Sequence, residues 1–258
     1  MNQIKYYWRL AIAAPFIPLM YYQANRIKST MPNLEAPTDS YKSGKEEDFH
    51  ILSLGESSIA SIGVDSQKLG LTGFLSDLIE AHTDEAVSYE VVAKSGYKAS
   101  MVLAELVPQI KSPKADLIMI GLGANDSFQI SKPRDWRRNL TAILDHLKER
   151  FGDVPVIFIN SPPITEFPIF TSLLRYFVNQ QLLLLRSELE LIIDQYDNAY
   201  FITHFLTAIG FIEKYELKDK QVHHFYSDGV HPSQLTYRLW AKEIFDFALE
   251  SKLLRQQL

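Results

Sequence analysis

Two short stretches at opposite ends of the chain carry side chains that could do chemistry together. Near the C-terminus, Ser227-Asp228-Gly229-Val230-His231-Pro232 sets a carboxylate and an imidazole three residues apart. Near the start, Ile51-Leu52-Ser53-Leu54-Gly55-Glu56-Ser57 runs from a buried-type apolar segment into a glycine and a hydroxyl. Imidazole titrates near neutral pH and can take a proton from a serine hydroxyl. A carboxylate can hold the imidazole tautomer and stabilise its cation. Hydroxyl first and Asp–His last is an order that can build a Ser-His-Asp constellation, which is defined by geometry rather than by distance in sequence.

Two further positions could serve such a nucleophile. In Lys94-Ser95-Gly96-Tyr97, Gly96 can present its backbone N–H with no side chain in the way. In Gly121-Leu-Gly-Ala-Asn125-Asp126, Asn125 is a neutral donor suited to an oxyanion hole. Each piece also has a plain structural reading. Ser57 or Ser58 can cap a helix, Gly96 can make a turn, and Asn125 can close an Asx-turn. The glycines at 121 and 123 are not a dinucleotide fingerprint, because Asp126 stands where the third glycine belongs. No phosphate-binding G-x-x-x-x-G-K-[ST] occurs, and His223, His224 and His231 meet no metal-ligand spacing, so no metal is expected.

Those residues need a scaffold that brings them to one edge. Short apolar runs at 50–55, 88–94, 115–122, 154–160 and 199–203 read as strands. Helical periods at about 69–82, 99–111, 134–151, 171–196 and 233–254 alternate with them. Helix 134–151 puts Trp136, Leu140, Ile143, Leu144 and Leu147 on one face. The alternation predicts a three-layer α/β/α fold with a five-stranded parallel sheet. Ligands in such sheets bind beyond the carboxyl ends of the strands, where Ser57, Gly96 and Asn125 fall. Glycine 55 lets the chain turn tightly, and Ser57 is expected at the N-terminus of the helix that follows. Pro232-Ser233 is expected to open the closing helix.

The composition fits one globular domain: 258 residues, 47% hydrophobic and 22% charged. With no cysteine, disulfide and thiolate chemistry is excluded. The net charge of −5 argues against a nucleic-acid partner. Residues 1–30 nevertheless hold Lys5, Arg9, Arg26 and Lys28 and no acid. Between those pairs lies an uncharged run, Leu10 to Tyr22, flanked by Tyr6, Tyr7 and Trp8. Aromatics and cations at the ends of an apolar run suit a membrane interface. The run is shorter than the roughly 20 residues of a span, and Pro15 and Pro18 would kink it. Residues 1–28 thus form a candidate membrane anchor; a helix packed on the domain is the other reading. Residues 29–48 read as a linker and 49–258 as the globular domain. Membrane association, on an undetermined side, is the expected localisation, with an exported or cytoplasmic soluble protein as the alternative.

Taken in order, the blocks resemble the SGNH (GDSL-type) hydrolase superfamily over about residues 49–250. Ser57 matches its nucleophile block, Gly96 its second block, Asn125 in Gly123-Ala-Asn-Asp126 its third, and His231 in Asp228-Gly-Val-His231 its last. The resemblance implies a flavodoxin-like fold and an esterase or lipase-type activity without a cofactor. It makes Ser57 the nucleophile, His231 the base and Asp228 its orienting partner. The Ser57 N–H, the Gly96 N–H and the Asn125 side chain would form the oxyanion hole. Glu56 stands where the family usually has Asp, which puts the local hydrogen bonding in question. Ile164 and Phe167, after Pro162-Pro163, and Phe225 and Tyr226, before Asp228, are expected to line an apolar acyl pocket. The expected substrate is a lipid-like or short-acyl ester. A carbohydrate O-deacetylase or acyltransferase on the same site, or a silent membrane-tethered binding protein, are the alternatives.

Overall fold

The computed structural model describes residues 2–39, 41–42, 48–160, 164–204 and 206–254. Pro162 and Pro163, and residues 43–47 of the expected linker, lie outside them. Six strands follow in chain order: β1 (Tyr41–Lys42), β2 (Phe49–Gly55), β3 (Val87–Ala93), β4 (Leu117–Gly121), β5 (Val156–Phe158) and β6 (Ala199–Phe201). They lie side by side as β1-β3-β2-β4-β5-β6. Strands β2 to β6 are parallel, giving the five-stranded sheet read from the sequence, and two-residue β1 adds an antiparallel edge on β3.

Period-two alternation sends neighbouring side chains into two separate cores. Ile51, Leu117, Met119 and Ile157 join one. Leu52, Leu54, Ile118, Ile120, Val156 and Phe158 join the other. Burial on both faces explains why these strands read as continuous apolar runs.

The helices, in chain order, are α1 (Asn2–Ala13), α2 (Ile17–Thr30), α3 (Leu71–Thr83), α4 (Ala99–Met101), α5 (Ala124–Phe128), α6 (Pro133–Phe151), α7 (Ser172–Ile193), α8 (Ala208–Lys214) and α9 (Gln234–Glu250). Leu71, Leu75 and Ile79 of α3 share the first core with Tyr237, Trp240 and Ile244 of α9. The predicted stripe of α6 packs in the second core with Leu185, Leu189 and Ile192 of α7. The helix read over 99–111 is broken. After α4 it widens into a π-turn stretch at Val102–Leu106 and tightens at Val107–Gln109, where Pro108 supplies no N–H.

The first thirty residues are helical and lie against the domain. A single 3-10 turn, Ala14–Phe16, joins α1 to α2 at Pro15. One stripe faces inward: Tyr6, Ala13 and Met20 are buried, the last two beside Leu174. The Tyr6 hydroxyl donates to the Ile130 carbonyl at 3.0 Å, Arg9 donates to the Gln180 carbonyl, and the Thr171 hydroxyl donates to Gln23 at 2.7 Å. Helix α2 therefore travels beside α7 and ends at the carboxyl edge of the sheet. The expected linker begins inside α2, which runs to Thr30. Its Asp39 is fixed too, accepting from the Ser66 hydroxyl at 2.7 Å and the Gln67 N–H at 3.0 Å.

The outward face of α1 and of the first half of α2 is largely apolar. Of the fourteen exposed large apolar side chains among the described residues, nine lie between Ile4 and Tyr22, with Trp8 68% and Tyr21 70% exposed. No helix among the described residues is long and apolar enough to cross a membrane.

Candidate active site

The strand order is the flavodoxin-like one, and its topological switch lies between β2 and β4, where a crevice opens beyond the strand ends. Ser57 leaves β2 there and Asn125 leaves β4. The two strands come so close that a Cβ on Gly55 would stand 2.2 Å from the Gly121 carbonyl oxygen. Only glycine fits at 55, which is what brings the residues after it beside those after β4.

The segment after Gly55 is not the helix start expected from the sequence. It coils into tight turns, Ile59 N–H to the Glu56 carbonyl at 2.8 Å and Ile62 N–H to the Ser57 carbonyl at 3.1 Å, and the next regular helix waits until Leu71. The buried Tyr237 hydroxyl of α9 donates to the Ile62 carbonyl at 2.8 Å and clamps this coil. Among the described residues no hydrogen bond engages Ser57 Oγ.

Two buried acids lock the strand-end loops together. Glu56 accepts from the Ala124 N–H at 2.8 Å and the Asn125 N–H at 2.9 Å, one to each carboxylate oxygen. It thereby ties the Ser57 turn to the first turn of α5. Burial pushes the Glu56 carboxyl up to about 8, against the pull of those N–H groups. Asp126 accepts from the Ala99 N–H at 2.8 Å, tying α5 to the segment after Gly96. Its carboxyl is raised by burial. Gly96 itself has φ +82, and a Cβ there would meet nothing within 4 Å. Backbone conformation rather than crowding is what asks for glycine at 96.

The Asp–His pair is fully formed. Asp228 Oδ2 accepts from His231 Nδ1 at 2.6 Å, while Oδ1 accepts from the Val230 N–H at 3.0 Å and the His231 N–H at 2.8 Å. Burial alone would raise the Asp228 carboxyl; the His231 bonds outweigh it and hold the group below its ordinary value. A short antiparallel bridge, Tyr226 to Pro232, closes the loop. Helix α9 begins at Gln234 with Ser233 as its cap, so Pro232 precedes the helix instead of opening it. His223 and His224 stack on each other with ring centroids 4.1 Å apart, and His224 helps cap its own turn.

Ser57, Gly96, Asn125 and His231 line one cleft of about 420 Å³. Ser57 and His231 share it without a direct hydrogen bond. Of the expected acyl-pocket residues, Phe167 lines the cleft. Ile164, Phe225 and Tyr226 do not: all three are buried in the first core. Phe225 stacks on Phe211, and Tyr226 packs edge-on against Phe167. The chain reverses at the Tyr226–Pro232 bridge, which turns Asp228 and His231 outward and these two aromatics inward.

The cleft also has walls that the sequence reading missed. Trp240 lines it, and its indole N–H has no hydrogen-bond partner among the described residues. Ala24, Ile27, Lys28 and Met31 supply another side. The signal for them was present: Met20, Ala24, Ile27 and Met31 continue the inward helical period past the charged Arg26.

A strand-end hydroxyl and an Asp–His pair, lining one cleft at the switch point of a parallel sheet, are the features of a serine-hydrolase-like class of α/β protein. Comparison with known proteins gives the family. Residues 53–239 match the GDSL-like Lipase/Acylhydrolase family, and the chain belongs to it, a carboxylic ester hydrolase. Solved structures share the fold. The lipase Lip_vut3 from a goat rumen metagenome is 19% identical, covers 76% of this chain and 95% of its own, and has a TM-score of 0.57. The psychrotrophic esterase EstA from Pseudoalteromonas sp. is 19% identical, with 81% and 100% covered and a TM-score of 0.57. Axe2, an acetylxylan esterase from Geobacillus stearothermophilus, is 16% identical, with 81% and 97% covered and a TM-score of 0.54. No curated protein sequence matches the chain.

Proposed function

We propose that the chain cleaves carboxylic esters through an acyl-enzyme on Ser57, with His231 as general base and Asp228 as its orienting partner. The observation that carries this reading is the 2.6 Å His231–Asp228 bond in the cleft that also holds Ser57. Donation from Nδ1 to Asp228 leaves Nε2 with the lone pair that a base needs; the bond partner assigns this tautomer. His231 takes the Ser57 proton as Oγ attacks the acyl carbon. The tetrahedral intermediate expels the alcohol, which leaves with that proton. Water then attacks the acyl-enzyme, again with His231 as base, and releases the acid. The Ser57 N–H, the Gly96 N–H and the Asn125 side chain hold the oxyanion. Removing one such donor costs on the order of 10²–10³ in turnover. The Ser57–His231 bond closes on substrate binding, since such bonds are often long in a free enzyme.

The acyl group is of the lipid-like kind. Ile159, Phe167, Phe170, Leu174 and Trp240 give the cleft apolar walls, which favour hydrocarbon over a sugar ring. The enzyme works at a membrane surface on which α1 and α2 lie. A helix apolar on both sides calls for an apolar surrounding on both, and the four cations of residues 1–30 favour anionic headgroups.

The test is labelling by a fluorophosphonate. Wild type is labelled at Ser57 and hydrolyses aryl esters; Ser57→Ala does neither while its thermal unfolding is unchanged. A folded Ser57→Ala protein with full activity would falsify the assignment. Preference for an acetylated sugar over an aryl ester of a longer acid would overturn the lipid-like part.

A further inference from the structure

Beside the cleft lies a second cavity of about 490 Å³, between α1–α2 and α7. The two cavities share Ala24, Phe128 and Leu174 as lining residues, so they adjoin across those side chains. Leu10, Ala13, Ile17 and Met20 from the N-terminal helices and Phe177 from α7 make the far walls apolar. Seven lining side chains carry polar atoms, and four of them are engaged inside the protein. Tyr6 donates to the Ile130 carbonyl, Arg9 to the Gln180 carbonyl, Ser127 to the Gly123 carbonyl and Gln181 to the Ser131 carbonyl. The other three are Gln180, Tyr21 and Tyr176, the two tyrosines 70% and 59% exposed. The lining is mostly apolar, which suits a group that asks for few hydrogen bonds, and the space begins where the cleft ends.

We infer that this second cavity is the acyl-chain site: the chain of a long-acyl ester leaves Ser57, passes Ala24, Phe128 and Leu174, and lies between α7 and the N-terminal helices. The inference rests on Ser57 being the acylated residue and specifies which esters that residue takes. Its length along α1–α2 supports a chain rather than a compact group. The lining runs from Ala24 back to Tyr6, which at 1.5 Å per helical residue is roughly 25 Å. The location also fits a substrate drawn from a bilayer. The helices that form one wall, with the turn that joins them, also carry the exposed aromatic residues Tyr7, Trp8, Phe16 and Tyr22, so a chain entering beside them stays next to an apolar surface. The family match begins at residue 53, so this wall is a feature of this chain outside the matched region.

The test fills the cavity without touching Ser57, His231 or their donors. In the full-length chain, Ala13→Phe puts a ring into the middle of the cavity. Ile17→Trp does so from a partly exposed position, so it tolerates the change if Ala13→Phe misfolds. The readout is kcat/KM for p-nitrophenyl dodecanoate relative to p-nitrophenyl acetate. Wild type favours the dodecanoate, and each folded variant lowers the ratio by about tenfold or more, as expected for the loss of two or so buried methylenes. An unchanged ratio in both variants, or a wild type that prefers acetate, overturns the inference while leaving ester hydrolysis intact. If neither ester is turned over, the Ser57 reading has failed and the cavity is tested by binding alone. Calorimetric titration with sodium dodecanoate then shows a single saturable site weakened about tenfold in the variants; absent or unaltered binding overturns the inference.

Discussion

Asp228→Asn should abolish turnover while barely altering the fold, and the hydrogen bonds give both magnitudes. Asp228 is buried and accepts three hydrogen bonds, two at Oδ1 from the backbone of Val230 and His231 and one at Oδ2 from His231 Nδ1. Asparagine keeps the first two at its carbonyl oxygen. Its amide takes the place of Oδ2 and presents N–H to Nδ1. The imidazole must then accept at Nδ1, which moves its own proton to Nε2 and aims a donor at Ser57. A ring in that tautomer cannot take the hydroxyl proton, and the loss expected is roughly 10⁴-fold in kcat, the scale known for this exchange in another triad enzyme. Stability changes far less, because a charge-assisted bond is replaced by a neutral one at a cost of about 1 kcal/mol. In a chain of this size that is about 2–4 °C in Tm. Asp228→Ala is the contrast: it strands two part-buried N–H groups and costs about 2–4 kcal/mol. The assay is p-nitrophenyl ester hydrolysis beside thermal unfolding. An Asp228→Asn protein that keeps a tenth of wild-type kcat, or one that unfolds as readily as Asp228→Ala, refutes the argument.

Four more outcomes follow from features of the fold. The Glu56 carboxyl is raised, so its contribution to stability is full below its ordinary 4.5 and is lost as pH climbs through about 8. Tm of wild type should fall across that interval and Glu56→Gln should flatten this limb; identical limbs in the two proteins count against it. The lowered Asp228 carboxyl works in the opposite sense, stabilising above its ordinary 3.8 and failing as pH drops below it, so Asp228→Asn should lose the acid limb of the same profile. Gly55→Ala forces a methyl against the Gly121 carbonyl and should cost about 1–3 kcal/mol by denaturant titration. Trp8→Glu, at an exposed position, should weaken co-flotation with phosphatidylglycerol vesicles several-fold while soluble ester turnover stays the same; equal flotation removes the case for a membrane seat.

The scaffold was legible because both faces of the sheet are covered. Strands such as β4 and β5 must then be apolar throughout, and their ends fall within two residues of the positions read from composition alone. The Asp–His pair was legible for a local reason, since three residues and a glycine suffice to fold a carboxylate back onto its own imidazole. Contacts set by tertiary packing were not. Ile164 follows β5, and Phe225 and Tyr226 precede the Asp228–His231 loop; nothing in their types says whether they face the cleft or the core. Glu56 read as a departure from the family pattern; only the approach of β2 and β4 reveals that its longer side chain reaches two amides of α5. The break after α4 shows propensity yielding to one residue, Pro108, in an otherwise helical run.

Helix α2 ends where the reaction is proposed to occur, and this bears on how the protein should be produced. A fragment trimmed to begin at Asp48 would retain strands β2 to β6, Ser57 and His231, yet it would lack Ala24, Ile27, Lys28 and Met31. Such a fragment would bare the flank of α7 to solvent and open the acyl side to bulk water. Its substrate profile would then describe a different enzyme, blunter towards long chains than the full-length protein.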